Sequence, residues 1–194
     1  MKMLCIGDSL VDGYPYSRGS SFPSVIGRIT GMEVINAGIS GQTSGEILAR
    51  FPAELSRALG SGDEASGRDA VLILCGSNDF IFSVCGPEET MKNIRGMADA
   101  AEGYGRIILC SSPLCSPEQA SRQWAEMDPS EYEEVNREIT LLRDMLEAEA
   151  QRRRDTEFFD LLNMYSSFGL YVDGVHPVEE GYRLIGERIA GEFL

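Results

Sequence analysis

The chain has 194 residues, 43% of them hydrophobic, which suits one compact domain over 1–194 and leaves little room for a second. With 17 Lys and Arg against 31 Asp and Glu the formal net charge is −14, so a nucleic-acid backbone or an anionic membrane surface is repelled and neither is expected as a partner. Met1-Lys-Met-Leu-Cys-Ile6 is too short for the apolar part of a signal peptide and no apolar run reaches a membrane span, so the expected location is the cytoplasm.

Apolar runs alternate with helical patterns along the chain, the signature of βαβ units and a parallel sheet. The first run, Met3–Ile6, leads into Gly7-Asp-Ser-Leu10. The second, Glu33–Asn36, leads into Ala37-Gly-Ile-Ser-Gly41 and then to a helix start at Thr43, with Glu46 at the capping-box position. Ser61–Arg68 reads as a polar, glycine-containing loop before the third run, Ala70–Cys75, which ends at Gly76-Ser-Asn-Asp79. After the fourth run, Arg106–Cys110, comes the longest irregular stretch, Ser111–Pro129, within which Ser116, Pro117 and Gln119 mark a helix start.

Ser130 with Glu133 predicts the start of a long amphipathic helix reaching Arg154, with Val135, Ile139, Leu142 and Leu146 on one face. Arg152, Arg153 and Arg154 read as cations facing the negative end of its dipole. The fifth run is Thr156–Asp160, and Pro177 opens a final helix that turns Tyr182, Ile185 and Ile189 toward the sheet. Right-handed crossovers gather the segments that follow the strands along one sheet edge, where ligands bind.

The chain has one histidine, His176, and no other side chain has an ordinary pKa near neutrality. A general base is therefore His176, with Ser9 as the hydroxyl it would activate and Asp173, three residues back, as the group that orients the ring. An Asp-x-x-His pair also occurs as a cap or surface pair. Acyl transfer further needs donors for an oxyanion. Gly41 offers a backbone N–H group and Asn78 a side-chain amide, although Gly38 and Gly41 serve equally as turn formers and Asn78 as a loop brace. Asp8, Asp12 and Asp79 are read as turn formers without a chemical role. Five cysteines, with no C-x-x-C pair and three of them inside strand-like runs, indicate buried free thiols in a reducing compartment; no metal and no cofactor is expected.

Gly7-Asp-Ser-Leu10, Asn36-Ala-Gly-Ile-Ser-Gly-Gln-Thr43, Gly76-Ser-Asn-Asp79 and Asp173-Gly-Val-His-Pro177 resemble, in order and with similar spacing, the four sequence blocks of the SGNH (GDSL-type) hydrolases. Ile47-Leu-Ala-Arg-Phe-Pro52 is similar to the bacterial thioesterase I/lysophospholipase and arylesterase branch. The resemblance implies an α/β fold, a flavodoxin-like three-layer α/β/α sandwich with a central five-stranded parallel sheet. It also implies a small-molecule acyl ester as substrate, Ser9, Asp173 and His176 as catalytic residues, and an oxyanion hole of Ser9, Gly41 and Asn78.

Two stretches depart from the pattern, the apolar Phe80–Cys85 and the Trp124-containing Ser111–Pro129. Both are expected at the substrate mouth, joined there by Phe168, Leu170 and Tyr171. Phe80, Phe82, Trp124 and Tyr171 are the candidate substrate contacts, and the bulk they bring favours short-chain or aryl esters. Carbohydrate O-acetyl esters, thioesters and lysophospholipids remain alternative substrates, because one relay serves all of them. An α/β-hydrolase elbow would need glycine where Val11 stands. A flavodoxin-like binding module would need a better phosphate cradle than Leu10-Val-Asp12.

Overall fold

The computed structural model describes residues 1–60, 69–163 and 171–191; the expected loop Ser61–Arg68, Phe168 and Leu170 lie outside the described residues. The five apolar runs form five strands, β1 (Lys2–Gly7), β2 (Glu33–Gly38), β3 (Asp69–Leu74), β4 (Gly105–Cys110) and β5 (Thr156–Phe159). All neighbours are parallel, in the order β2-β1-β3-β4-β5, which is the flavodoxin-like order.

The helices are α1 (Ser9–Asp12), α2 (Phe22–Thr30), α3 (Ser44–Leu59), α4 (Ser77–Ile81), α5 (Pro87–Ala101), α6 (Pro117–Gln123), α7 (Pro129–Arg152) and α8 (Glu179–Gly191). Alternation along each strand splits the core into two. Leu4, Ile6, Val71, Ile73, Ile107 and Leu109 pack with α3, α5 and α7 on one face. Met3, Cys5, Ala70, Leu72, Leu74 and Ile108 pack with α1, α2 and α8 on the other. Helices thus cover both faces, the three-layer arrangement that a central strand rich in Leu, Ile and Val requires. Each such side chain, fully buried, contributes about 1.5–3 kcal/mol, so a one-residue slip of β1 or β3 would exchange the two cores and is strongly resisted.

That register sets the site. Gly7 pairs with Gly38 on one side and with Leu74 on the other, and Leu74 pairs with Cys110. The strands therefore end at one level, and Ser9, Gly41 and Asn78 all lie on segments that leave this edge. β1 is the switch point, since the chain continues to β2 on one side and returns to β3 on the other.

Several boundaries differ from expectation. The long helix starts two residues early. Its cap is Asp128, which accepts from Ser130 N–H at 2.9 Å, while Glu131 accepts from Asp128 N–H at 2.8 Å. Pro129 supplies the first helical residue, where a missing N–H costs nothing. Thr43 and Glu46 do form the capping box, with Thr43 N–H donating to Glu46 at 2.9 Å. α6 starts at Pro117 as expected, but Ser116 precedes it without a side-chain cap bond. The final helix starts at Glu179, because Pro177 is held in a bridge to Tyr171. Arg153 leaves the helix to bind Asp99, Glu102 and Glu149, so its charge serves an ion-pair knot and not the dipole.

Candidate active site

Ser9 opens α1 directly after the central strand. Asp8 caps this single turn by accepting from Leu10 N–H at 3.0 Å, and it also accepts from the Ser77 hydroxyl at 3.3 Å. Burial pushes the Asp8 carboxyl up to about 6, against the pull of the Leu10 N–H, His176 and Ser77. The turn closes when Gly13 and Tyr14 donate their N–H groups to the Ser9 carbonyl at 2.9 and 3.1 Å. Ser9 is left 8% exposed.

Asp173 and His176 lie on the loop between the Tyr171 bridge and α8. Asp173 Oδ1 accepts from the Val175 and His176 N–H groups at 2.9 and 2.7 Å, so the carboxylate folds its own loop around itself. Its other oxygen lies 2.8 Å from His176 Nδ1, and His176 Nε2 lies 2.9 Å from Ser9 Oγ, across 167 positions of sequence. Burial works to raise the Asp173 carboxyl, but the imidazole and the two backbone donors outweigh it and hold it below the ordinary carboxylate value. His176 is 1% exposed. A hydroxyl on one imidazole nitrogen and a carboxylate on the other is an arrangement that can pass a proton to the ring and stabilise the charge formed.

Gly41 turns the chain between β2 and α3 at a φ of +82°, a conformation that favours glycine. Asn78, in α4, donates Nδ2 to the Gln42 carbonyl at 2.9 Å, which ties the β3 end to the segment carrying Gly41. That segment is held from the other side as well. Arg18 donates to Gly38 O at 2.8 Å and to Asp12 at 2.8 Å, and Ser40 donates to Asp12 at 3.0 Å. Asp79 accepts from the Ser44 N–H and hydroxyl at 2.8 and 2.6 Å. Asp8, Asp12 and Asp79 are thus loop-fixing carboxylates.

The four aromatic candidates separate. Trp124, at the end of α6, sets its ring edge-on to the His176 ring at 4.6 Å. Tyr171 is half-buried, and its hydroxyl donates to the Leu114 carbonyl. Phe80 is 3% exposed and packs in the α3–α5–α7 core, while Phe82, the cap of α4, is 50% exposed. The helical turn explains the pair, because nearby helix positions face different sides.

Tyr14 escaped the sequence reading. Its ring lies 4.7 Å from His176 and 5.9 Å from Trp124, so two aromatic rings flank the imidazole. Tyr182 donates to the Tyr14 carbonyl at 2.7 Å and fixes its backbone. The available signal was Gly13-Tyr-Pro15, which ends α1 at once and keeps Tyr14 on the same edge as Ser9.

α6 also braces the histidine loop. Ser116 N–H donates to Gly174 O at 2.7 Å, and Gln119 donates to Tyr171 O at 3.4 Å. Gly174 has a φ of +90°, and a Cβ there would fall 2.3 Å from the Ala120 nitrogen.

The GDSL-like lipase/acylhydrolase family matches residues 5–184, a span that holds the whole relay. A curated arylesterase of Vibrio mimicus is 27% identical over 100% of this chain and 88% of its own. Among solved structures, a G-D-S-L family protein of Desulfitobacterium hafniense DCB-2 is 25% identical with a TM-score of 0.75, covering 98% of both chains. A member of the lipolytic protein G-D-S-L family from Veillonella parvula DSM 2008 is 18% identical with a TM-score of 0.81, covering 100% of this chain and 98% of its own, and speaks for the fold.

Proposed function

The chain belongs to the GDSL-like lipase/acylhydrolase family and is an ester-hydrolysing enzyme, and on that footing we propose that Ser9 carries the acyl group during turnover of short-chain or aryl esters. The Ser9 hydroxyl attacks the acyl carbonyl carbon while His176 Nε2 takes its proton, and Asp173 stabilises the imidazolium. The oxyanion accepts bonds from Ser9 N–H, Gly41 N–H and Asn78 Nδ2. Collapse breaks the ester bond, and the departing alkoxide takes the proton from His176. A water then attacks the acyl-enzyme, giving up its proton to His176. Release of the carboxylic acid returns that proton to Ser9.

One observation carries this reading: the unbroken chain Asp173–His176–Ser9, with links of 2.8 and 2.9 Å. The preference for aryl leaving groups rests on Tyr14 and Trp124 beside the imidazole and on the name of the Vibrio mimicus relative. Aromatic rings beside the imidazole that protonates the leaving group offer an aryl alcohol edge-to-face contact and leave little room for a long chain. Buried Cys5, Cys75, Cys110 and Cys115, all free, favour the cytoplasm as the place where it works. Among the described residues no helix is long and apolar enough to cross a membrane.

The test is a panel of p-nitrophenyl esters from acetyl to palmitoyl, beside acyl-CoA and acetylated sugars. We expect kcat/KM to fall steeply beyond about six to eight acyl carbons, since each further methylene forgoes its ~0.8 kcal/mol of burial. A best rate on palmitoyl esters or acyl-CoA would replace the short-chain reading with a lysophospholipase or thioesterase one.

A further inference from the structure

Within Ile47-Leu-Ala-Arg-Phe-Pro52, Arg50, on the second turn of α3, is a largely buried side chain that belongs neither to the relay nor to the apolar core. Its guanidinium is mostly buried, yet no carboxylate lies within hydrogen-bond distance. Glu54 approaches Nη1 only to 3.9 Å, and Nη1 is buried with no hydrogen-bond partner. Both bonds it makes go to neutral oxygens, Nε to Gln42 Oε1 at 2.6 Å and Nη2 to the Gly7 carbonyl at 3.1 Å. Burying a cation against neutral acceptors is a poor way to stabilise a fold. Such departures from stability are expected where a site needs them.

The two acceptors explain the need. Gly7 is the last residue of β1, two before Ser9, and its carbonyl also accepts from Ile39 N–H at 3.1 Å. Gln42 follows Gly41, and its backbone carbonyl holds Asn78 Nδ2 at 2.9 Å. One planar fork therefore grips the segments carrying Ser9 and Gly41 directly, and reaches Asn78 through the residue it holds. Arg is suited to this because its donors keep fixed mutual directions, where a lysine would offer one rotating point charge.

We propose that Arg50 is the positioning residue of the oxyanion hole, holding the donors of Ser9, Gly41 and Asn78 in convergence without touching substrate. This rests on the proposed hole itself. Displacing such donors by a fraction of an ångström acts on the transition state more than on substrate binding.

The experiment measures kcat, KM and Tm on a short-chain p-nitrophenyl ester for Arg50→Met, Arg50→Lys, Asn78→Ala and the Arg50→Met/Asn78→Ala pair. Arg50→Met should lower kcat by about 10–100-fold with KM within about twofold, and Arg50→Lys should recover only part of the loss. In the Asn78→Ala background the same Arg50→Met change should cost clearly less than in the unaltered chain, because one of the three donors it positions is gone while the Ser9 and Gly41 N–H groups remain. Multiplicative losses in the pair, or wild-type kcat in a folded Arg50→Met protein while Asn78→Ala is slow, overturn the role of Arg50 alone. Wild-type kcat in Asn78→Ala overturns the hole and this inference with it. If Arg50→Met does not fold, Gln42→Met removes the Nε acceptor and takes its place: reduced kcat, non-additive with Asn78→Ala, supports the proposal, and wild-type kcat rejects it.

Discussion

The serine and the histidine of the site are held in opposite ways. Ser9 follows a strand flanked by two others and buried on both faces, so its place is fixed by the ladder and by two hydrophobic clusters. His176 follows no strand directly. Its loop is folded around the Asp173 carboxylate and leaned against α6, Tyr14 and Trp124 by a few hydrogen bonds and ring contacts. Hydrophobic burial distributed over a sheet tolerates the loss of any one contact. A loop held by a few polar contacts does not. If Ser9 and His176 play the proposed roles, the nucleophile end should therefore lose chemistry without stability, and the base end should lose both together.

Ser9→Ala is the largest expected effect and the cleanest probe of the first half. Turnover of p-nitrophenyl acetate should fall by about 10⁴-fold or more, with circular dichroism and Tm unchanged. A folded Ser9→Ala protein that still turns over would end the assignment.

Asp173→Asn tests the second half and should cost about 10³–10⁴-fold in kcat. It should also cost stability, in a pH window set by the carboxyl. Because folding holds Asp173 below its ordinary value, the folded chain binds fewer protons there than the unfolded chain. The stability it contributes is complete above the ordinary carboxylate pKa of about 3.9 and disappears as pH falls through the lowered one. The Tm gap between Asp173→Asn and the unaltered chain should thus be open at pH 7 and close below about pH 4. A gap constant with pH would mean that the carboxylate charge adds nothing to the loop.

Gly174→Ala touches neither reacting group. It puts a methyl against α6 at a position with φ of +90°, and should cost about 1–3 kcal/mol in stability and about 10-fold in kcat as the base moves. Wild-type Tm and kcat would show that the α6 brace is dispensable and would erase the contrast between the two ends. The smallest effect is expected from Tyr14→Ala and Trp124→Ala. Each should reduce the kcat/KM preference for aryl over alkyl acetates by about 2–10-fold, the worth of one aromatic pair. An unchanged preference would mean that the rings only pack the imidazole.

How much was readable from the chain follows the same division. The strand runs and Ser9, Asp173, His176 and Asn78 stand beside local signals, apolar periodicity and turn residues, that act within a few positions. The supports of the histidine loop do not. Gly174 against Ala120, Tyr14 against His176 and Tyr171 on Leu114 join residues separated by 50 or more positions, and nothing in either partner's neighbourhood announces the other. Phe80 and Phe82 show a second limit. An apolar run gives bulk, but only the phase of a short helix decides which ring enters the core.

The segment 111–129 holds the histidine loop twice, through the ring of Trp124 on His176 and through the bond of Ser116 N–H to Gly174 O. Selection for a new alcohol group would act first on Trp124, yet a change there shares its short helix with the backing of the base. On the proposed roles, substrate range and catalytic competence are therefore inherited together in this chain. A graft that exchanges 111–129 for the matching stretch of a relative is expected to need a compensating change in 171–176 before its new preference can be expressed.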